Sequence, residues 1–215
     1  LVVPAPSTEL VDGTQIAVAF ARDVTLTVDG VTEELTTTAL SVDALLDEAR
    51  ESGVGHVVVT GGEPLLQREI GALTGGLRAA GLHVTVETAG TVDPDFECDL
   101  LSVSPKTANS DPSGRWRERH RALRSDLGPL TCLLRRFSEV QLKFVVRGAG
   151  DMPEILDLLS RLPSVEPSRV LLMPEGRTAY EVVARGAEVA ALCVQLGFRY
   201  TPRLHLDLFG GSRGV

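Results

Sequence analysis

Lysine is almost missing from this 215-residue sequence: Lys106 and Lys143 are the only two, and arginine carries the rest of the positive charge. Cysteine is equally sparse. Cys98, Cys132 and Cys193 lie 34 and 61 residues apart, with no CxxC or CxxxCxxC clustering, so no local metal or iron–sulfur site can be read from them. Three scattered thiols fit a reduced, cytoplasmic protein better than a disulfide scaffold. No apolar run reaches the roughly 18–20 residues needed to cross a bilayer, so no membrane association is expected. Leu1 to Pro6 lacks the basic region and apolar core of a signal peptide, and a start at Leu1 rather than Met suggests a longer translated product. There is no Walker loop, no G-x-S-x-G elbow and no HExxH, and His56, His83 and His120 stand without partner spacing. A net charge of −8 and a pI near 5.0 argue against direct nucleic-acid binding, which needs a basic field.

What is present reads as a globular α/β chain. Hydrophobic content of 43% and charged content of 23% are ordinary values for a packed domain. Residues 1–40 are the least regular. Val24 to Val28 alternates, Asp29-Gly30 signals a turn and Val31 to Thr38 can return, which predicts a hairpin. From Ser41 onward strands and helices alternate. The expected strands are His56 to Thr60, His83 to Glu87, Leu100 to Val103, Val140 to Val146, Arg169 to Met173 and Phe198 to Leu208. Helices are expected over Ser41 to about Gly53, Leu65 to Ala80, Asp151 to Leu162 and Ala179 to Leu196, the last stopped by Gly197. Near-continuous Val/Leu strands between helices imply about six mainly parallel strands, in a partial (βα) barrel or an open α/β sheet. With no repeat and no linker, residues 1–215 are expected to form one domain.

In parallel α/β folds ligands gather at the carboxyl ends of strands. Here those ends carry Gly61-Gly62-Glu63-Pro64, Glu87-Thr88-Ala89-Gly90-Thr91, Ser104-Pro105-Lys106 and Met173-Pro174-Glu175-Gly176, with Lys143 inside the fifth strand. Gly and Pro at a single end need only terminate a strand; their recurrence at successive ends is hard to explain as packing alone. Paired glycines let backbone approach a ligand. Glu63 can accept an ammonium, while Ser104 and Lys106 can hold a carboxylate. Together they suit the head group of an α-amino acid.

The segments TGGEPLLQ (Thr60 to Gln67), VETAGT (Val86 to Thr91), SVSPK (Ser102 to Lys106), QLKFVV (Gln141 to Val146) and LLMPEG (Leu171 to Gly176) resemble the 7-carboxy-7-deazaguanine synthase family of the radical S-adenosylmethionine superfamily. The tail RYTPRLHLDLFGGSRGV (Arg199 to Val215) is similar too, so the likeness covers roughly residues 41–215 and leaves 1–40 as a divergent part. The resemblance implies a radical-SAM-like partial barrel, usually in a homodimer. It implies ring contraction of 6-carboxy-5,6,7,8-tetrahydropterin, a lyase step of 7-deazapurine and queuosine biosynthesis that uses S-adenosylmethionine, a [4Fe–4S] cluster and Mg²⁺. Gly61, Gly62 and Glu63 would then meet the methionyl amino group, and Thr88, Ser104 and Lys106 the rest of S-adenosylmethionine. Thr91, His205 and Arg22 would face the pterin. Lys143 and Glu175 lie in family-like segments without an assigned role.

The family's early CxxxCxxC segment and the Gly-Glu-Gly loop before it have no counterpart here: Phe20-Ala21-Arg22-Asp23 is followed by Val24 to Gly30, without cysteine. Neither a cluster nor a metal site can be placed on these residues, and no catalytic residue is assigned. Three readings follow. One is a synthase whose supplied chain is incomplete or altered near its N-terminus. Another is a cluster-less relative that binds S-adenosylmethionine, a pterin or a protein without radical chemistry. The third is a structural or regulatory partner of an active homologue, built on the dimer surface. Arg115 to Arg121, a basic run with the only tryptophan, reads as a solvated helix face or a grip for an anion or partner.

Overall fold

The computed structural model of the chain describes residues 55–204 without a break. It also describes 42–51 (backbone only at 48), 53 and 206, and the backbone of 2–3, 17–18, 22–28 and 31–37. Two small antiparallel ladders come first. β1 (Val2–Val3) pairs with β2 (Ala17–Val18), and β3 (Arg22–Val28) pairs with β4 (Val31–Thr37) around Asp29-Gly30, as the alternation and turn dipeptide predict.

After α1 (Val42–Glu51) come β5 (His56–Val59), α2 (Ile70–Ala79), β6 (His83–Thr88) and β7 (Leu100–Val103). α3 (Arg117–Ser125), α4 (Gly128–Arg136), β8 (Val140–Val146), α5 (Met152–Ser160), β9 (Val170–Pro174), α6 (Ala179–Leu196) and β10 (Arg199–Tyr200) complete the order. β5 to β10 form one six-stranded sheet in strict sequential order, every pair parallel. That is the order of a barrel segment left open, and the expected partial (βα) barrel is what is found.

The strand register explains both faces. Val84, Val86, Leu101, Val103, Leu142, Phe144, Val146 and Leu172 point one way and are fully buried. They pack in a single core with Leu46 of α1, Leu77 of α2, Leu133 of α4, Ile155 of α5 and Val189 of α6. Alternate residues point the other way and are largely polar: Thr85, Glu87, Ser102, Gln141 and Lys143. A parallel sheet is usually apolar on both faces. Here His56 bonds Thr85 at 2.8 Å and Gln141 Nε2 donates to Ser102 Oγ at 3.0 Å. This second face therefore carries satisfied polar pairs, with Thr85 and Ser102 buried among them.

Three local expectations need correction. The helix expected over Leu65 to Ala80 is split into a 3₁₀ turn at Pro64–Leu66 and α2, because Gln67 is extended and its N–H bonds Pro64 O. The split lets Leu65 and Ile70 both reach the core, which an unbroken helix would place well apart around its axis. A further helix, α4, occupies a stretch not assigned to any element. Gly128-Pro129 looks like a breaker, but proline belongs in a first turn, and Leu130 and Leu133 then fall on one buried face. The last strand is two residues long rather than Phe198 to Leu208, since Pro202 has no N–H for the ladder. By contrast α6 runs as expected, with a Thr178/Glu181 capping box and Gly197 at φ 71° closing it.

Candidate functional site

The carboxyl ends of β5, β6 and β7 bring the expected residues together around Glu63. Its Oε1 accepts from the Thr88 hydroxyl at 2.7 Å and from Leu65 N at 3.2 Å; Oε2 accepts from Ala89 N at 2.9 Å. One carboxylate thus ties the Gly-Gly-Glu-Pro loop to the end of β6. A carboxylate offers about four acceptor sites, so one remains for an incoming N–H donor. Thr88 is buried and spends its hydroxyl proton on Glu63 while its oxygen accepts from Gly90 N at 3.0 Å. It thereby orients the carboxylate.

The glycines divide into two kinds. Gly61 has φ +109°, and a Cβ on it or on Gly62 would meet nothing within 4 Å. Open space beside both is what a backbone approached by a ligand looks like. Gly90 is structural: at φ +73° its Cβ would lie 2.9 Å from Val103 Cγ1. Gly90→Ala is expected to cost about 2–4 kcal/mol, from the left-handed backbone and the overpacking together, read as a lowered midpoint in urea unfolding.

Lys106 stands between buried Pro105 and Thr107, with no ion pair among the described residues. It is accessible, yet its pKa is lowered, first by desolvation and then by Lys143, while Glu63 and Glu87 pull it upward. An accessible ammonium without an ion-pair partner among the described residues can meet a carboxylate. Ser104, whose N bonds Thr88 O at 2.7 Å, has no side-chain partner among the described residues and is equally available.

Glu87 joins this group although its sequence gave it no role. Lys143 Nζ donates to Glu87 Oε1 at 2.9 Å and Thr60 Oγ1 to Oε2 at 3.2 Å. The register that sets Glu87 level with Ser102 and Gln141 places it on the same polar-bearing face. Period-two alternation could have located it; its partner, 56 residues away, could not be read from spacing. Glu175 lies 3.7 Å from Arg185 and 3.9 Å from Arg147, at the end of β9. Nearby Arg203, in the expected tail, donates to Gly176 O at 3.2 Å while its buried Nε has no acceptor among the described residues. Thr91 is half-buried beyond Gly90. Arg22 is described only as backbone in β3, and His205 lies outside the described residues.

The loop after Lys106 is pinned by polar contacts. Asn109 Nδ2 donates to Val145 O at 3.0 Å and to Asp151 at 2.9 Å, and Ala108 N donates to Glu154 at 2.9 Å. Asp111, 5% exposed at its side chain, takes His120 at 3.1 Å, Arg121 at 2.7 Å and Arg124 at 3.0 Å. The two arginines and His120 hold its carboxyl far below the usual range against the cost of desolvation.

The thiols are dispersed. Cys193 is buried on α6 and donates to Arg199 O, Cys132 is exposed on α4, and Cys98 is half-buried before β7. Burial, then Asp99, pushes Cys98 up to about 12, and burial raises Cys193. The three thiols lie on separate segments and do not converge on one point. Among the described residues no group of three His, Cys, Asp or Glu is placed to hold a metal ion, and no helix is long and apolar enough to cross a membrane.

No model of a protein family matches the chain. A 7-carboxy-7-deazaguanine synthase of Halobacterium salinarum is 44% identical over 193 residues, spanning 83% of this chain and 75% of the relative. One from Rhodopirellula baltica is 38% identical over 182 residues, spanning 83% and 70%. One from Pyrobaculum aerophilum is 34% identical over 169 residues, spanning 76% and 69%. In structure, QueE from Escherichia coli superposes with a TM-score of 0.53 at 21% identity, covering 76% of this chain and 64% of that one.

Proposed function

This chain belongs to the 7-carboxy-7-deazaguanine synthase family, and from that premise we propose that its strand ends bind S-adenosylmethionine and a 6-carboxytetrahydropterin. The supporting observation is the pairing of two unspent groups beside open glycine backbone. Glu63 keeps one acceptor site, and Lys106 keeps its whole ammonium. The amino group of S-adenosylmethionine goes to Glu63 and the carbonyls of Gly61 and Gly62; its carboxylate goes to Lys106 and the Ser104 hydroxyl. Thr88 fixes the Glu63 carboxylate from behind. The pterin is accommodated on the polar face beyond Thr91, with Arg22 and His205 as further contacts. When bound and reduced, S-adenosylmethionine supplies the hydrogen-abstracting chemistry that starts the family's ring contraction.

The residues do not fit a [4Fe–4S] cluster. These 215 residues contain no CxxxCxxC, and the three thiols sit on separate elements as buried or isolated groups. The described residues likewise show no Mg²⁺ ligand set. No radical step is therefore assigned to them. The dispersed thiols favour a second reading, a family member that binds the same ligands without radical chemistry. In either reading the protein is taken to act in the cytoplasm, as a single-domain protomer of a homodimer.

Calorimetry with S-adenosylmethionine tests the shared part. Lys106→Ala should weaken binding about tenfold or more, as expected for loss of a charge-assisted bond to a carboxylate. Unchanged affinity in Lys106→Ala would remove the proposed pocket. Anaerobic reconstitution with iron and sulfide separates the two readings: a bound cluster, seen as a broad visible absorption, supports the synthase, and colourless protein supports the second.

A further inference from the structure

α3 has no buried residue, so apolar packing does not explain why it stays on the body of the protein. Ion pairs do. His120, Arg121 and Arg124 face Asp111, and Arg124 Nη1 also reaches Glu154 at 2.7 Å. At 100° per residue, Trp116 of the preceding 3₁₀ turn, Arg119 and Leu123, spaced i, i+3, i+7, form a stripe along one flank of the helix, with Arg115 beside them and Glu118 and Ala122 further round. Trp116 is 52% exposed and Leu123 46%. Arg115 lies over the Trp116 ring at 4.9 Å, and neither Arg115, Arg117 nor Arg119 has a carboxylate partner among the described residues.

We propose that this stripe along α3 and the turn before it docks an acidic protein, one that presents carboxylates around an apolar contact. Three observations carry the choice. The composition is that of an interface centre: tryptophan and arginine dominate binding hot spots, and here both stand exposed beside Leu123. The charge is complementary to carboxylate and is supplied only by arginine, whose planar fork pairs bidentately with that group. The rest of the chain brings the net charge to −8, so an acidic partner is repelled over most of the surface and attracted at this arc. A nucleic acid, held by a string of phosphate contacts, would meet the same repulsion with only a few free arginines to offset it. One helical face is small, which suits a transient complex steered by charge. The anchoring through Asp111 sets the docked partner close to the loop that follows Lys106.

Trp116 is the only tryptophan, so its fluorescence reports from the centre of the patch. The full chain is titrated with a synthetic peptide of alternating Glu and Leu, with the same peptide carrying Lys for Glu, and with an oligouridine RNA. The Glu/Leu peptide should give a saturable change in emission that weakens as salt rises, while the Lys/Leu peptide gives none. The double variant Arg115→Ala/Arg119→Ala, checked for folding by circular dichroism, should bind about tenfold more weakly. No saturable change, or equal binding by the folded double variant, would overturn the proposal. So would tighter binding of the RNA, which makes the patch a nucleic-acid contact. Sedimentation showing self-association of the wild type that the double variant loses would assign the face to a second copy, and overturn it too.

Discussion

Glu63→Gln should lose S-adenosylmethionine binding by about a hundredfold and lower stability by about 3 kcal/mol, although it changes one oxygen into an NH₂ group. The two faults have one cause. In the native protein both carboxylate oxygens are acceptors, one for Thr88 Oγ1 and Leu65 N, the other for Ala89 N. An amide supplies a single acceptor oxygen. If that oxygen stays with Thr88 and Leu65, the NH₂ group meets the Ala89 N–H, donor against donor; if it flips, the other two donors lose their acceptor. Bonds to a charged acceptor contribute about 1.5–3 kcal/mol each, and the half-exposed setting returns part of that to water. Glu63→Asp keeps both acceptors and the charge on a shorter stem, so it should regain stability more than affinity. Urea unfolding and calorimetry on the two variants separate the parts. If Glu63→Gln unfolds like the wild type, Glu63 is not the clamp between the loops; if it binds like the wild type, the ammonium goes elsewhere.

The same carboxylate shows where sequence reasoning stops. Strand positions were legible because alternation survives in each strand: Val140, Leu142, Phe144 and Val146 are buried while Gln141, Lys143 and Val145 are only partly so. The strand-end residues were legible because loops at that end have a recurrent chemistry of Gly, Pro and charge. The two lysines of this lysine-poor chain come together in the fold. Both lysines fall in one electrostatic group with Glu63 and Glu87, and each of these charges acts on Lys106. What could not be read is pairing across long separations. Nothing local marks Thr88 as the partner of Glu63, or Lys143 as that of Glu87, because parallel strands are joined by helices that hide their register. One local signal misled: the apolar spacing of Leu65 to Ala80 looks continuous although Gln67 is extended, which lets Leu65 and Ile70 both reach the core. The stretch of α4 carried no assignment, although Leu130 and Leu133 give it a buried face.

Removal of the Asp111 carboxylate is the other change with a large expected effect. In the native protein it neutralises Arg121 and Arg124 and bonds His120 Nδ1, in a position almost closed to solvent. Asp111→Asn leaves the two guanidinium groups facing one another across a neutral amide, and uncompensated charge in a covered site is strongly destabilising. The helix they hold has no buried side chain to keep it in place, so α3 should come away first. Amide hydrogen exchange should show faster exchange over 117–125, ahead of any change in the sheet. The pH dependence follows from the lowered carboxyl pKa. A carboxylate depressed in the folded state stabilises it fully above its unfolded value, near 3.9, and progressively less as the pH falls toward the folded value. The thermal midpoint of the wild type should therefore exceed that of Asp111→Asn most clearly at neutral pH. The gap should narrow as the pH is taken below about 4. A gap that stays constant from neutral to strongly acidic pH would mean that the carboxylate charge is not what anchors the helix. Exchange over 117–125 that matches the wild type would mean that α3 has another support.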